Sequence, residues 1–262
     1  MSGWSGRDLG TKTVAYDETQ AILYALAVGA DASDLDLVFE EKLRVLPTFA
    51  LTLAQWAPDA LGSAGAFDVR TAVHGTQRLR VLNDLPRSGA VEMTARVAEV
   101  WDKGSAAVFD VAVESEYFEA TWSLFAPGCG GFGGDRGPSA RRRPETAPSG
   151  TLDVRTATNQ AALYRLLGDR HHLHIDPEAA VTAGMPRPIM HGLCTLAALT
   201  LPLASSVGAH PADLRELEGR FASPVFPGDE LHVETWKDGE ATLFEASVDD
   251  RTVISAARAH FA

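Results

Sequence analysis

The chain has 262 residues, 45% hydrophobic and 22% charged, an ordinary balance for a globular protein and enough for two domains of about 120 residues each. A formal charge of -12 argues against nonspecific binding to nucleic acid or an anionic membrane, and no apolar run is long enough to span a bilayer. Cys129 and Cys194 are too few for a disulfide framework, and MSGWSGRDLGTKT at the amino terminus lacks the apolar core of a leader. With HFA rather than Ser-Lys-Leu at the carboxy terminus, the expected compartment is cytoplasmic.

Asp17 to Ala30 reads as a helix, capped by Asp17 or Thr19, with Ile22, Leu23, Leu26 and Ala27 on its apolar face and Gly29 stopping it. DASDLDLVFE reads as a loop entering a short extended piece. After Pro47-Thr48, FALTLAQW predicts a buried helix that ends before Pro58. From Asp68 onward apolar residues nearly alternate: VHGTQRLRVL, two strands joined at Asp102-Lys103-Gly104, and YFEATWSLFA ending at Pro127. Residues 128–150, rich in Gly, Pro and Arg, have no apolar periodicity and read as a linker. Within them Arg141-Arg142-Arg143 reads as a solvated charge run, with contact to a substrate phosphate as the sharper alternative.

The order then repeats. QAILYAL at 20–26 is mirrored by QAALYRL at 160–166, a shift of 140 residues, and a second apolar helix opens near His191-Gly192 and bends at Pro202. Four alternating segments close the chain, with an Asp-Gly turn at 238–239. Periodicity alone therefore gives a duplicated α+β protein divided as 1–127, linker 128–150, and 151–262.

The chemistry concentrates in Tyr164–Gly192. Asp169 stands five residues before His174, close enough for a carboxylate and an imidazole to share a water or a substrate proton. Two plainer readings stand beside this one. Gly168-Asp169 also suits a turn, with Asp176-Pro177 starting a helix, and the cluster His171, His172, His174 and His191 could ligate a metal, although a clean set of four ligands is missing. GCGGFGG at 128–134 lacks the strand–helix context of a dinucleotide site, so no nicotinamide cofactor is expected.

The same stretch resembles the hydratase 2 signature of MaoC-like, (R)-specific enoyl-CoA hydratases. The matching residues are Tyr164, Gly168-Asp169-Arg170-His171-His172-Leu173-His174-Ile175-Asp176-Pro177, Ala180 and His191-Gly192-Leu193. Tyr16-Asp17-Glu18, Pro47-Thr48-Phe49, Val73-His74-Gly75, the glycine-rich 128–138 and FPGDEL at 226–231 extend the resemblance over nearly the whole chain. It implies a double hotdog, in which each half is a helix wrapped by an antiparallel sheet. It also implies catalytic Asp169 and His174, and an oxyanion-contacting N–H at Gly192, where an unpaired helix-start amide favours negative charge. Two positions depart from the pattern: His171 and His172 replace an Asn-Pro pair, and an imidazole cannot donate and accept at both points of an amide.

The resemblance implies reversible hydration of a trans-2-enoyl thioester to the (R)-3-hydroxyacyl product. His171, Tyr164, His191 and Arg187 are assigned to substrate binding; coenzyme A arrives as part of the substrate, and no separate cofactor or metal is expected. In the first half Ala30 stands about where Asp169 stands in the second and no histidine follows, so that half is expected to accommodate the acyl tail. Alternatives are a thioester hydrolase on the same fold and a non-catalytic acyl-thioester-binding subunit. A homodimer of such chains is a further expectation.

Overall fold

Strict alternation builds the sheet. In β3 (Gly89–Asp102) Val91, Met93, Ala95 and Val97 are buried while Glu92, Thr94 and Arg96 between them face solvent. Each buried side chain of this size stabilises by about 1.5–3 kcal/mol, which fixes the face and hence the register. The computed structural model describes residues 3–262; Met1 and Ser2, the start of the stretch read as lacking a leader, lie outside them.

The other strands are β1 (Asp8–Tyr16), β2 (Val73–Val81), β4 (Ala106–Ser115), β5 (Phe118–Pro127), β6 (Gly150–Arg155), β7 (Leu214–Phe221), β8 (Glu230–Asp238), β9 (Ala241–Val248) and β10 (Arg251–Phe261). All join one antiparallel sheet in the order β1-β3-β4-β5-β2-β7-β10-β9-β8-β6. The order is palindromic about the β2–β7 pair, which joins the two halves through Thr76↔Arg220 to Arg80↔Glu216. This is the double hotdog.

The helices pack on the sheet and on one another. α1 (Glu18–Ala27) begins with a capping box in which the Asp17 carboxylate accepts the Gln20 N–H and the Gln20 amide oxygen accepts the Asp17 N–H. α2 (Leu35–Val38) is one helical turn where an extended piece was expected. The buried helix expected to end before Pro58 is α3 (Phe49–Leu53) followed by α4 (Trp56–Ser63), which runs through that proline. Pro58 lies in the first turn of α4, where no intrahelical partner is required of its nitrogen. In the second half come α5 (Gln160–Tyr164), α6 (Pro177–Thr182) and the long α7 (Gly192–Ser206), which carries Pro202 inside it. α5 repeats α1 and touches it, with the Tyr24 and Tyr164 rings 5.9 Å apart. β1 and β6 were not anticipated: their alternation is weak because both are edge strands with few buried positions.

Among the described residues no helix is long and apolar enough to cross a membrane.

Candidate active site

Gly168 closes a 3-10 turn (Arg165–Leu167) at φ +153, a value that suits glycine, and so turns the chain out to Asp169. The Asp169 carboxylate is held locally: Oδ1 accepts the His171 N–H at 3.0 Å. Its other oxygen, Oδ2, lies 4.0 Å from Nε2 of His174, which ends a second 3-10 turn (His172–His174). This gap is too long for a direct hydrogen bond but can be bridged by one water.

The His174 tautomer follows from its other nitrogen. Nδ1 is 2.9 Å from the Ile189 carbonyl, which can only accept, so Nδ1 carries the proton and the Nε2 lone pair faces Asp169. Burial pushes the His174 pKa below its ordinary value, only partly opposed by the Ile189 carbonyl and the Asp169 charge. The ring is therefore neutral near pH 7, with Nε2 free to take a proton.

His191 stands at the N-cap position of α7 without a side-chain capping bond and is 3% exposed. Its Nε2–H donates to the Asp169 main-chain carbonyl at 3.1 Å, and its ring stacks on that of His174 with centroids 3.7 Å apart and planes at 25°. Burial, reinforced by His174, pushes its pKa down to about 3. Gly192 is the first residue of α7, so its N–H has no intrahelical acceptor. A Cβ at Gly192 would stand 2.9 Å from the Phe221 ring, so the close approach requires glycine.

The remaining expected residues divide. Tyr164 is buried between Tyr24 and His191, its hydroxyl 3.5 Å from Thr52 Oγ1, and burial raises its pKa so that it stays protonated. The exposed His171 accepts the Leu173 N–H on Nδ1 at 3.2 Å, so its ring caps the local turn where the family motif has an amide. Asp176 likewise caps α6. Arg187 is exposed. It is not part of the cavity wall; its guanidinium lies 3.3 Å from Asp229, donates to the Pro227 carbonyl at 2.9 Å and packs over Phe226. The charge run at 141–143 pairs with Asp238 through Arg141 and with Glu234 and Glu245 through Arg143.

Asp169, His171, His174, Tyr164, His191 and Gly192 all line one cavity of about 1370 Å³ that continues into the first half past Thr52, Gln55, Pro58 and Phe67. Neither His74 nor Phe221 was among the expected site residues. His74 stands edge-on to Phe221 with centroids 4.7 Å apart, and both line the cavity. The motif Val73-His74-Gly75 was the signal for the first; no signal marked the second, because an aromatic in an alternating strand reads as core.

A metal does not fit this cluster. Asp169, His174 and His191 bring donor atoms within 4.8 Å of one another. Imidazole lone pairs lie in the ring plane, however, and stacked rings 3.7 Å apart aim them side by side rather than at one point. Bonds of about 2.0–2.1 Å from both rings to one ion would require unstacking them.

The family model described as "MFE-2 hydratase 2 N-terminal domain" matches residues 14–126, and "MaoC like domain" matches 139–258. Peroxisomal multifunctional enzyme type 2 of Mus musculus is 36% identical over 95% of the chain, which spans about a third of that relative's length (36%). Enoyl-CoA hydratase ChsH3 of Mycobacterium tuberculosis is 34% identical, with 95% of the chain and 94% of the relative aligned. The crystal structure of a MaoC-like dehydratase from Phytophthora capsici superposes with a TM-score of 0.88 at 25% identity, covering 98% of this chain and 95% of that one.

Proposed function

The chain belongs to the MaoC-like hydratase 2 family, and from that premise we propose that it adds water reversibly across the double bond of a trans-2-enoyl-CoA to give the (R)-3-hydroxyacyl-CoA. The observation that carries this reading is the 4.0 Å gap between Asp169 Oδ2 and an unprotonated His174 Nε2, beside the unpaired Gly192 N–H, on the wall of one large cavity.

A water seated in that gap donates to both acceptors. Its oxygen bonds to the β-carbon while one of its protons passes to the Asp169–His174 pair. The electron pair of the double bond moves toward the thioester, whose oxygen gains negative charge opposite the Gly192 N–H and the amino-terminal end of α7. The α-carbon takes a proton from the pair, so one water is consumed and the pair ends as it began. No cofactor is required beyond the coenzyme A carried by the substrate.

Division of labour follows the halves. Residues 151–262 hold the acid–base pair; residues 1–127 supply the cavity wall past Thr52, Gln55 and Phe67, which accommodates the acyl tail; 128–150 connects them. The setting is cytoplasmic in this reading, although the names of several relatives place them in peroxisomes, and the working unit is a homodimer.

The test is loss of enoyl-thioester absorbance in the purified protein, with chiral analysis of the product and a thiol assay for released CoA. Asp169→Asn and His174→Gln are each expected to lower kcat at least about 100-fold while the fold is retained. Near-normal turnover in either variant, or free CoA as the product, overturns the proposal.

A further inference from the structure

The His191 side chain touches both members of the pair. Its Nε2–H holds the main-chain carbonyl of Asp169 at 3.1 Å, and its ring lies flat on the ring of His174 with centroids 3.7 Å apart. It is itself held by packing, with the Tyr164 ring 4.8 Å away and only 3% of the residue exposed. The Asp169–His174 gap has no direct hydrogen bond to set its width, and both residues sit on short turns rather than on long elements. A gap made of two turns needs an outside clamp to stay at water-bridging width.

We infer that His191 is a positioning residue for hydration, which clamps Asp169 and His174 at the spacing that seats the reacting water and keeps the His174 ring dry. The inference rests on the hydratase reading of the pair. In this role His191 acts through the Asp169 backbone, whose carbonyl its Nε2–H meets, and through the His174 ring on which it stacks. The Asp169 carbonyl can only accept, so it fixes the Nε2–H tautomer of His191 and leaves Nδ1 as a buried lone pair without a partner.

Two consequences separate this role from a merely structural one. The clamp sets geometry in the bound complex, so its loss falls on kcat more than on KM. The stacked ring also shields His174 from water, so its loss lets the His174 pKa climb back toward its ordinary value. The charged and titratable groups facing this pair are Asp169 and His171 around His174, Arg165 and Tyr164 around His191, and Asp59 and His74 toward Asp169. None of them is altered by substitution at 191.

The experiment compares His191→Ala, His191→Phe and His191→Gln with the unsubstituted protein, as full-length chains on one short enoyl-CoA, over a range of pH. His191→Ala is expected to lower kcat by at least about 30-fold with KM within about threefold, and to move the acidic limb of kcat/KM to higher pH. His191→Phe keeps the stack and is expected to return the acidic limb to its original place while recovering only part of kcat. His191→Gln keeps a donor for the Asp169 carbonyl and is expected to recover part of kcat with the limb still displaced. If the alanine chain fails to fold, the phenylalanine and glutamine chains carry the comparison. Unchanged kcat, or lost kcat with the acidic limb unmoved in the alanine and glutamine chains, overturns the inference. Absence of hydration in the unsubstituted chain instead overturns the hydratase reading itself, so the two failures are told apart.

Discussion

His74 and His191 are held as neutral rings, their pKa values pushed down by burial to about 4 and about 3 from an ordinary 6.5. In the unfolded chain both take up a proton below about pH 6.5, whereas the folded protein resists doing so until much lower pH. Their contribution to stability is therefore whole above about pH 6.5 and drains away as pH falls toward 4 and then 3. Urea unfolding at about pH 7.5 and pH 5 is expected to show a midpoint lower at the acidic value by a stability difference of a few kcal/mol, and a midpoint unchanged between them contradicts the assignment. At this scale the sequence was readable where chemistry is local. Asp169 and His174 stand five residues apart on one motif, so their meeting was legible. The stacking of His191 on His174 and the Ile189 carbonyl that fixes the tautomer were not, because both depend on the path of residues 175–190 rather than on residue type. The neighbours of Arg187 were not legible either, since only the fold brings Asp229 beside it.

Among the elements, the glycine-rich stretch that follows β5 is the least like its sequence reading. It has neither helix nor strand as far as 149, yet it is anchored. The Asp102 carboxylate accepts the N–H groups of Gly104, Gly131 and Gly133 at 2.7–2.9 Å, and the Asp102 N–H donates to the Asp135 carbonyl. A Cβ at Gly130 would stand 2.3 Å from the Ala106 carbonyl, and one at Gly137 2.4 Å from the Trp101 ring, so the glycines are there for close approach. These donors hold the Asp102 pKa down to about 2. The anchored loop delivers Pro138, Ser139 and Arg141 to the cavity wall. Asp102→Ala strips the acceptor from all three amides; hydrogen exchange at Gly131 and Gly133 is expected to quicken at least about tenfold while the amides of β4 stay protected. Equal protection in the variant would mean that the glycine packing alone holds the loop. Periodicity could not foresee this, since a carboxylate ending a strand looks the same whether it faces solvent or a nest of amides. Where periodicity is strong, as in β3, β5 and α7, expected and observed elements coincide to within a few residues.

For the molecule as a whole, the repeat of 140 residues announced the symmetry, with Tyr24 and Tyr164 as its plainest marks, but not the seam. Pairing β2 with β7 joins residues about as far apart as the repeat itself, and no local pattern encodes that choice. The seam carries five backbone pairings and the Arg78–Glu218 ion pair at 3.1 Å, and α1 packs on α5 beneath it. The connecting chain crosses between halves over a short distance. Up to Gly137 it is fastened to the first half at Trp101 and Asp102; from Arg141 it pairs with the second half, through Asp238 and then, at Arg143, through Glu234, and Trp236 Nε1–H donates to the Thr146 carbonyl. Arg141, held only by its 3.9 Å pair with Asp238, and Arg142 are both exposed. Limited trypsin is therefore expected to cut after one of these arginines and leave two fragments that elute together on gel filtration, because the covalent link adds little to an interface already closed by a sheet ladder and a shared core. The nicked protein is expected to keep more than about half its turnover, since the cut separates no residue of the pair from its clamp. Fragments that part under native conditions would show instead that the link, and not the β2–β7 seam, keeps the acyl cavity facing the acid–base pair.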